Sequence, residues 1–269
     1  MRLRVGLIAS AVAVPPLLGR GSKYGKWLLT CCSLGLRVSP AMDRKYVHST
    51  SLTSRQDLGF AHRFEPPTTP GTPCVLLLHG AGGDETTLLP LGKAIAPGAA
   101  LLSPRGKVLE QGMARFFRRL AEGMFDQRDL KARTKELAEF IERASATYSV
   151  PAGKLVAAGF SNGANIAASL LLRFPEKFAG AVIMRGMVPF VPPQTVDLKR
   201  TPVLLLSGAD DPIVGTDEVA ELADIFRAAN AEVTLHWETA GHTLSQGDIL
   251  MAFDWMRKFF YAPRPAAPK

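Results

Sequence analysis

The pentapeptide from Gly159 to Gly163, with Ser161 at its centre, constrains the fold of this chain more than any other stretch. An apolar run at residues 154–158 precedes it, and a run of small residues at 164–170 follows it. This order predicts a strand, a very tight turn and a helix, with a strained backbone at Ser161. A side chain at either glycine would collide with the adjoining strand or helix. The turn therefore carries the serine hydroxyl clear of the sheet edge, beside the positive end of a helix dipole.

A serine hydroxyl is a poor nucleophile at neutral pH, so a catalytic role for Ser161 requires a base and an acid later in the chain. His242 is the candidate base, because it lies on a glycine-containing loop between the apolar alternation of residues 233–237 and the last predicted helix. The candidate acid follows the apolar strand of residues 203–207. The candidate base and the candidate acid each come just after a strand, at the edge of a parallel sheet where the active-site loops lie.

Two neighbouring carboxylates, Asp210 and Asp211, compete for the role of the acid. Asp211 precedes Pro212, which biases it toward an extended conformation that projects the carboxylate out of the turn. Asp210 is better interpreted as a turn residue that caps its own backbone. We therefore predict a triad of Ser161, Asp211 and His242, with Asp210 as the alternative acid.

A glycine-rich turn follows the apolar strand of residues 74–78 and predicts a site for an oxyanion. Such a turn lets a backbone N–H approach the carbonyl oxygen of an ester, and Ala81 is the natural donor. The N–H of Asn162, directly after the nucleophile, provides the second donor. His79 is interpreted as structural, because another histidine already fills the position of the base.

Together these motifs resemble the phospholipase/carboxylesterase branch of the α/β-hydrolase superfamily, which contains small bacterial carboxylesterases and acyl-protein thioesterases. The resemblance extends from residue 74 to residue 260, nearly the whole predicted domain. The matching stretches are residues 76–85, 114–119, the turn around Ser161, residues 208–214 and Gly241-His242. The Phe-Phe-Arg-Arg sequence at 116–119 points to the carboxylesterases of this branch. Thioesterases commonly have glutamine where this chain has Asn162, which weakens the transfer of a protein-thioester substrate.

Strand patterns alternate with helix patterns along the chain, and this alternation predicts a mostly parallel sheet flanked by helices on both faces. Helical periodicity is clearest over residues 130–148, and a last helix is predicted over residues 245–260. No insertion large enough to build a lid domain interrupts the pattern. The sequence thus predicts an α/β-hydrolase fold with a shallow pocket and no large lid domain. The predicted strands are residues 75–78, 100–103, 155–159, 179–184, 203–207 and 233–237.

Residues 104–129 are neither strand-like nor strongly periodic, and they include Phe116, Phe117 and Arg118. One interpretation makes this segment a wall of the substrate pocket, in which the phenylalanines give apolar surface and an arginine faces an anionic group. The other interpretation is a surface loop with two buried phenylalanines and with arginines in ion pairs. A second wall is predicted at residues 184–190, where Met187 offers adaptable apolar surface.

The formal net charge of +8 is concentrated in the first 42 residues, which carry six Lys or Arg and no acid. The rest of the chain holds 26 basic and 24 acidic side chains, which gives no support to a nucleic-acid partner. Residues 5–18 are apolar but broken by two prolines, which argues against stable membrane insertion. Three cysteines give neither a disulfide framework nor a zinc-ligand pattern, which favours a reducing compartment and an enzyme without metal or cofactor.

The chain is predicted to contain a basic leader at residues 1–42, one α/β-hydrolase domain at 43–265 and a short tail at 266–269. The leader is either an artefact of an upstream start, with Met42 as the true initiator, or a mitochondrial transit peptide or secretory signal. The first alternative implies a cytoplasmic enzyme, and the others imply a mitochondrial or exported one. A homodimer is compatible with the sequence.

The predicted function is that of a serine carboxylesterase, which hydrolyses small to medium carboxylic esters through an acyl-enzyme intermediate. The expected partner is a small-molecule ester substrate. Two alternatives stay open. One is an acyl-protein thioesterase or lysophospholipase, and the other is a non-catalytic ligand-binding protein with the same fold.

Overall fold

The structure, a computed structural model, describes residues 58–121, 123–151, 153–194 and 196–261. These residues all belong to one structural unit. The predicted leader, the predicted tail and residues 43–57 of the predicted domain lie outside the described residues.

Strands and helices alternate along the chain, as the sequence predicts. The strands are β1 (His62–Glu65), β2 (Cys74–Leu78), β3 (Ala100–Pro104), β4 (Val108–Glu110), β5 (Met113–Arg115), β6 (Arg119–Ala121), β7 (Met124–Phe125), β8 (Leu155–Phe160), β9 (Phe178–Met184), β10 (Pro202–Gly208) and β11 (Glu232–Glu238). The α-helices are α1 (Leu89–Ile95), α2 (Gln127–Thr147), α3 (Asn162–Arg173), α4 (Thr216–Ala228) and α5 (Gln246–Met256). All six strands predicted from the sequence are present, with bounds that differ by one residue at most.

Seven of the strands form the central sheet, in the order β1-β3-β2-β8-β9-β10-β11. All neighbouring pairs are parallel except β1 and β3, which are antiparallel. Strands β2 and β3 are buried along their whole length, which is expected of parallel strands covered on both faces. The carboxyl ends of β2, β8, β10 and β11 therefore lie on one edge of the sheet, where the candidate site residues follow them.

Helices cover both faces of the sheet, which confirms the predicted architecture. On one face α2, α3 and α4 pack through residues such as Phe140, Ile166 and Leu222 into the larger apolar core. On the other face α1 and α5 pack through Ile95 and Trp255 against the alternate side chains of the same strands. No large lid domain is built by the described residues between these elements.

The prediction that residues 104–129 contain no strands is wrong. This segment forms two small antiparallel pairs, β4 with β5 and β6 with β7. Each of these strands has three residues or fewer, so none is long enough to show the alternation by which a strand is recognised in a sequence.

The last helix is shorter than predicted, because α5 ends at Met256 and a π-helical turn over Arg257–Tyr261 follows it. Ser245 caps its start, where the Ser245 hydroxyl accepts a hydrogen bond from the N–H of Asp248 at 3.0 Å. The Asp248 carboxylate accepts in return from the N–H of Ser245 at 2.8 Å, which completes a capping box.

Candidate active site

Ser161 lies in the turn between β8 and α3 with φ 52° and ψ −117°, which confirms the predicted backbone strain. The close packing of this turn explains both flanking glycines. A Cβ atom at Gly163 would lie 1.9 Å from the carbonyl oxygen of Leu78, and one at Gly159 would lie 2.3 Å from the carbonyl oxygen of Gly163. Only glycine therefore fits at these two positions, and the strained turn projects the serine from the sheet edge.

The structure brings Ser161, His242 and Asp211 together, although they come from three separate loops. The Nε2 atom of His242 lies 2.9 Å from the hydroxyl oxygen of Ser161, and its Nδ1 atom lies 2.8 Å from Oδ2 of Asp211. A carboxylate can only accept, so Nδ1 carries the ring proton and Nε2 is left to accept the serine proton. This is the arrangement in which an imidazole can act as a general base toward a hydroxyl.

The carboxylate of Asp211 is buried, with 1% of its side chain exposed, and it is held from two directions. Its Oδ1 atom accepts hydrogen bonds from the backbone N–H groups of Ile213 at 2.8 Å and Val214 at 3.2 Å. The prediction that Asp210 caps this turn is wrong, because Asp211 does so itself. Asp210 is exposed, and its side chain makes no hydrogen bond within the described part of the chain.

An ion pair beneath the loop that carries His242 fixes the backbone on both sides of this histidine. The Arg185 guanidinium binds the Asp248 carboxylate through two hydrogen bonds, at 3.0 and 2.6 Å. It also donates to the carbonyl oxygens of Gly241 and Thr243, each at 3.0 Å. Because the two side chains are 0% and 1% exposed, these four hydrogen bonds take the place of water around the buried guanidinium.

The sequence analysis missed this function of Arg185, which it included in a predicted pocket wall at residues 184–190. A signal was present, because Arg185 is the only charged residue between positions 178 and 196. A lone charge directly after a buried strand needs a buried partner. The partner, Asp248, lies 63 positions later in the chain, so the sequence alone does not identify it.

His79 connects the glycine-rich turn to the segment that follows β3. Its Nε2 atom accepts from the backbone N–H of Gly106 at 3.0 Å, so Nδ1 carries the proton and donates to the carbonyl oxygen of Gly80 at 2.7 Å. Burial lowers the pKa of His79 and keeps the ring neutral. The prediction that His79 is structural is consistent with these contacts, since it holds the residue directly before Ala81.

The N–H groups of the two predicted oxyanion donors have no hydrogen-bond acceptor among the residues that the structure describes. The N–H of Ala81 makes no backbone hydrogen bond within the described residues. Asn162 is the first residue of α3, so its N–H has no acceptor within the helix. Next to Ala81, the N–H of Gly82 is already used, because it donates to the carbonyl oxygen of Ala114 at 2.9 Å. The N–H groups of Ala81 and Asn162 are thus available to an acceptor, whereas that of Gly82 is not, and their role as oxyanion donors stays a prediction.

Two asparagine side chains of α3 hold the segments that the sequence predicts as pocket walls. The side-chain oxygen of Asn162 accepts from the N–H of Phe116 at 2.7 Å, and that of Asn165 accepts from the N–H of Met187 at 2.8 Å. Both asparagines are buried. Helix α3 therefore positions both segments, a role that the sequence did not reveal.

The predicted pocket residues occupy different environments. Phe116 and Phe117 are buried, and the ring of Phe116 packs against that of His79 with 4.7 Å between the centroids. Met187 is also buried and packs against Val214, three positions after Asp211. The side chain of Arg118 is 62% exposed and lies 3.7 Å from the carboxylate of Asp129. The arginine contact matches the ion-pair interpretation, and the role of these residues in a substrate pocket stays a prediction.

The described residues contain neither a metal-ion cluster nor a membrane-spanning helix. No group of three or more His, Cys, Asp or Glu is arranged to hold a metal ion among the residues that the structure describes. Within the same residues, no helix is both long enough and apolar enough to cross a membrane.

Comparisons with known proteins identify the family of the chain. A model of the phospholipase/carboxylesterase family matches residues 61–259, which include every candidate site residue. The chain belongs to this family. One relative is a protein of Bacillus subtilis (strain 168) named "Putative hydrolase MhqD". The two are 42% identical over 197 residues, which cover 73% of this chain and 98% of MhqD.

Solved structures of carboxylesterases share the fold. A Bacillus cereus carboxylesterase is 46% identical and superposes with a TM-score of 0.74, over 76% of this chain and 96% of that one. A carboxylesterase from Mesorhizobium loti is 32% identical, with a TM-score of 0.70 over 74% of this chain and 95% of that one. The family, the fold and the hydrolase class predicted from the sequence are thereby confirmed.

Proposed function

We propose that the protein is a serine carboxylesterase, in which Ser161 is the nucleophile, His242 the general base and Asp211 the acid that orients the base. The observation that carries the proposal is the pair of hydrogen bonds made by His242, whose Nε2 accepts from the Ser161 hydroxyl at 2.9 Å and whose Nδ1 donates to the Asp211 carboxylate at 2.8 Å. Geometry of this kind activates a serine hydroxyl that is otherwise a weak nucleophile.

The proposed reaction has two half-reactions. Ser161 Oγ attacks the acyl carbon while its proton passes to Nε2 of His242, and the carbonyl oxygen becomes an oxyanion held by the N–H groups of Ala81 and Asn162. The intermediate collapses, and the leaving alcohol takes the proton from Nε2. Water then attacks the acyl-enzyme in the same way, which releases a carboxylic acid and restores the serine. Throughout, the buried Asp211 carboxylate stabilises the imidazolium.

Replacement of the nucleophile tests this assignment. Ser161→Ala should lower the turnover of short p-nitrophenyl esters by about 10⁴- to 10⁶-fold, because only the oxyanion donors and substrate binding remain. Ser145→Ala, on α2, is the matched control and should hydrolyse these esters like the wild type. A fluorophosphonate probe should label Ser161 in the wild type. If Ser161→Ala keeps wild-type turnover, the assignment is wrong.

We propose small to medium carboxylic esters as substrates. The absence of a large lid domain from the described residues supports this choice, because an open site buries little of a long acyl chain. Matched oxygen esters and thioesters of the same acyl group separate this proposal from the thioesterase alternative. A higher kcat/KM for oxygen esters is expected, and a strong preference for thioesters would contradict it.

A further inference from the structure

A groove of about 580 Å³ lies away from the candidate active site, between α2, the end of α3 and the segment after Phe190. Its apolar walls include Leu172, Phe190, Pro192 and Pro193, and no member of the candidate triad lines it. The groove residue Arg173 ends α3, twelve positions after Ser161. At a rise of about 1.5 Å per residue, this places Arg173 about 18 Å along the helix from the nucleophile.

The rim of the groove carries positive charge only. Arg128, Lys131 and Lys135 follow one another at steps of three and four residues on α2, so they lie on one side of this helix. Arg173 adds a fourth cation from α3, and no Asp or Glu of the described part of the chain lines the groove. Of the four, Lys135 has an acidic neighbour, Glu139, at 3.9 Å on its own helix. An anion in the groove would therefore meet attraction without an opposing carboxylate.

Arg173 marks where such an anion would bind. Its guanidinium stacks on the ring of Phe190, 4.0 Å from the ring centroid, and its Nε atom is buried without a hydrogen-bond partner. Burial lowers the pKa of this guanidinium, as expected for a cation that has lost water and gained no counter-charge. A bound carboxylate or phosphate would supply the missing counter-charge to this guanidinium, in the planar geometry that arginine prefers.

We propose that this groove binds a small amphiphilic anion, with its carboxylate or phosphate group at Arg173 and Lys131 and its alkyl or aryl part along Phe190 and Pro192. The shape favours a single small molecule, because the volume falls in the range of about 300–1,000 Å³ that is usual for small-ligand sites. An extended polyanion would instead require positive charge spread over a larger surface. This site is independent of the ester chemistry proposed above.

Calorimetric titration of the full-length protein tests the proposal, with decanoate and decyl phosphate as the anionic probes. Decyl glucoside is the neutral probe of equal chain length, and inorganic phosphate is the probe without a chain. Saturable binding is expected for one or both anionic amphiphiles, and the comparison between them shows which head group the groove prefers. The neutral amphiphile and inorganic phosphate should each bind at least about tenfold more weakly, because each offers only half of the interactions.

Variants of two cations of the groove test whether the probes bind there. Arg173→Met keeps an apolar stem over Phe190 and removes the charge, and Lys131→Gln removes a second charge from the exposed helix face. Each should weaken binding about tenfold or more, while ester hydrolysis and the melting temperature stay near wild type. Lys93→Gln, an exposed cation on α1 across the sheet, is the control and should bind like the wild type. Wild-type affinity in both groove variants, or equal binding of the neutral amphiphile, would overturn the proposal.

Discussion

The side-chain oxygen of Asn162 accepts a hydrogen bond of 2.7 Å from the backbone N–H of Phe116, a residue 46 positions earlier in the chain. Phe116 in turn packs on His79, which holds the carbonyl of Gly80 directly before Ala81. A continuous set of contacts therefore connects the two residues that are proposed to donate to the oxyanion. We therefore expect the separation between these donors to depend on the segment around Phe116.

We predict that Asn162→Ala lowers kcat by at least about tenfold. The loss should be smaller than the roughly 10²- to 10³-fold that follows complete loss of an oxyanion donor. The backbone N–H at position 162 stays in place, but its distance from Ala81 is no longer fixed. Steady-state kinetics with short esters, together with the affinity for a boronic acid analogue of the tetrahedral intermediate, measure the effect. KM should change little, because the interaction is made mainly in the transition state.

Asn165→Ala is the matched control for that prediction. It removes the same kind of hydrogen bond from the same helix, but the bond goes to Met187, on the segment after β9, and not to the segment that packs on His79. Both variants leave a buried N–H unsatisfied, so both should lose about 1–3 kcal/mol of stability. Equal losses of kcat in the two variants would mean that Asn162 is important only for stability.

The two neighbouring aspartates should differ sharply in their effect on turnover. Asp211→Asn should lower kcat by about 10⁴-fold, because the amide favours the wrong tautomer of His242. Asp210→Asn should stay close to wild type, since Asp210 is exposed and its side chain makes no hydrogen bond within the described residues. The pair of variants is compared in one esterase assay. A large loss in Asp210→Asn alone would move the role of the acid to Asp210.

The parts of this protein that the sequence predicts are those set by local pattern. Long apolar runs identify the six predicted strands, and the order of Ser161, Asp211 and His242 after their strands indicates that they meet at one sheet edge. What the sequence does not predict depends on contacts between distant side chains. The bond from Arg185 to Asp248 joins positions 63 apart, and the bond from Asn162 to Phe116 joins positions 46 apart. Neither partner is visible in the local pattern of the other.

The buried pair of Arg185 and Asp248 should be important for both stability and turnover, and a double variant can separate the two. Arg185→Met leaves the Asp248 carboxylate buried without its counter-charge, which should cost about 3–5 kcal/mol in the free energy of unfolding. Arg185→Met combined with Asp248→Asn removes that charge but keeps an acceptor for the Ser245 N–H. The double variant should therefore recover much of the lost stability.

Turnover should not recover in the same double variant, because the carbonyl groups of Gly241 and Thr243 still lack the donor that fixes the loop around His242. Thermal unfolding and esterase kinetics on the wild type, the single variant and the double variant give the comparison. If turnover rises in parallel with the melting temperature, the ion pair acts through stability alone and does not position the histidine.

His79 should make the protein less stable as the pH falls below the ordinary histidine pKa of 6.5. The folded protein holds the ring neutral, because Nε2 accepts from the Gly106 N–H and burial lowers the pKa of the ring. The unfolded chain binds a proton at this position below pH 6.5, so protonation favours unfolding there. The stabilisation of the folded protein by the neutral His79 ring is therefore fully present above that pH and is lost below it. The free energy of unfolding falls there by up to about 1.4 kcal/mol per pH unit.

His79→Gln tests this pH dependence. The glutamine amide can donate to the Gly80 carbonyl and accept from the Gly106 N–H, but it does not titrate. We expect the variant to be less stable than the wild type near neutral pH, since the amide fits the histidine site imperfectly. Its free energy of unfolding should nevertheless fall less steeply between about pH 7 and about pH 5, because one proton fewer is taken up on unfolding. Urea unfolding at several pH values measures both slopes, and equal slopes in the two proteins would contradict the assignment to His79.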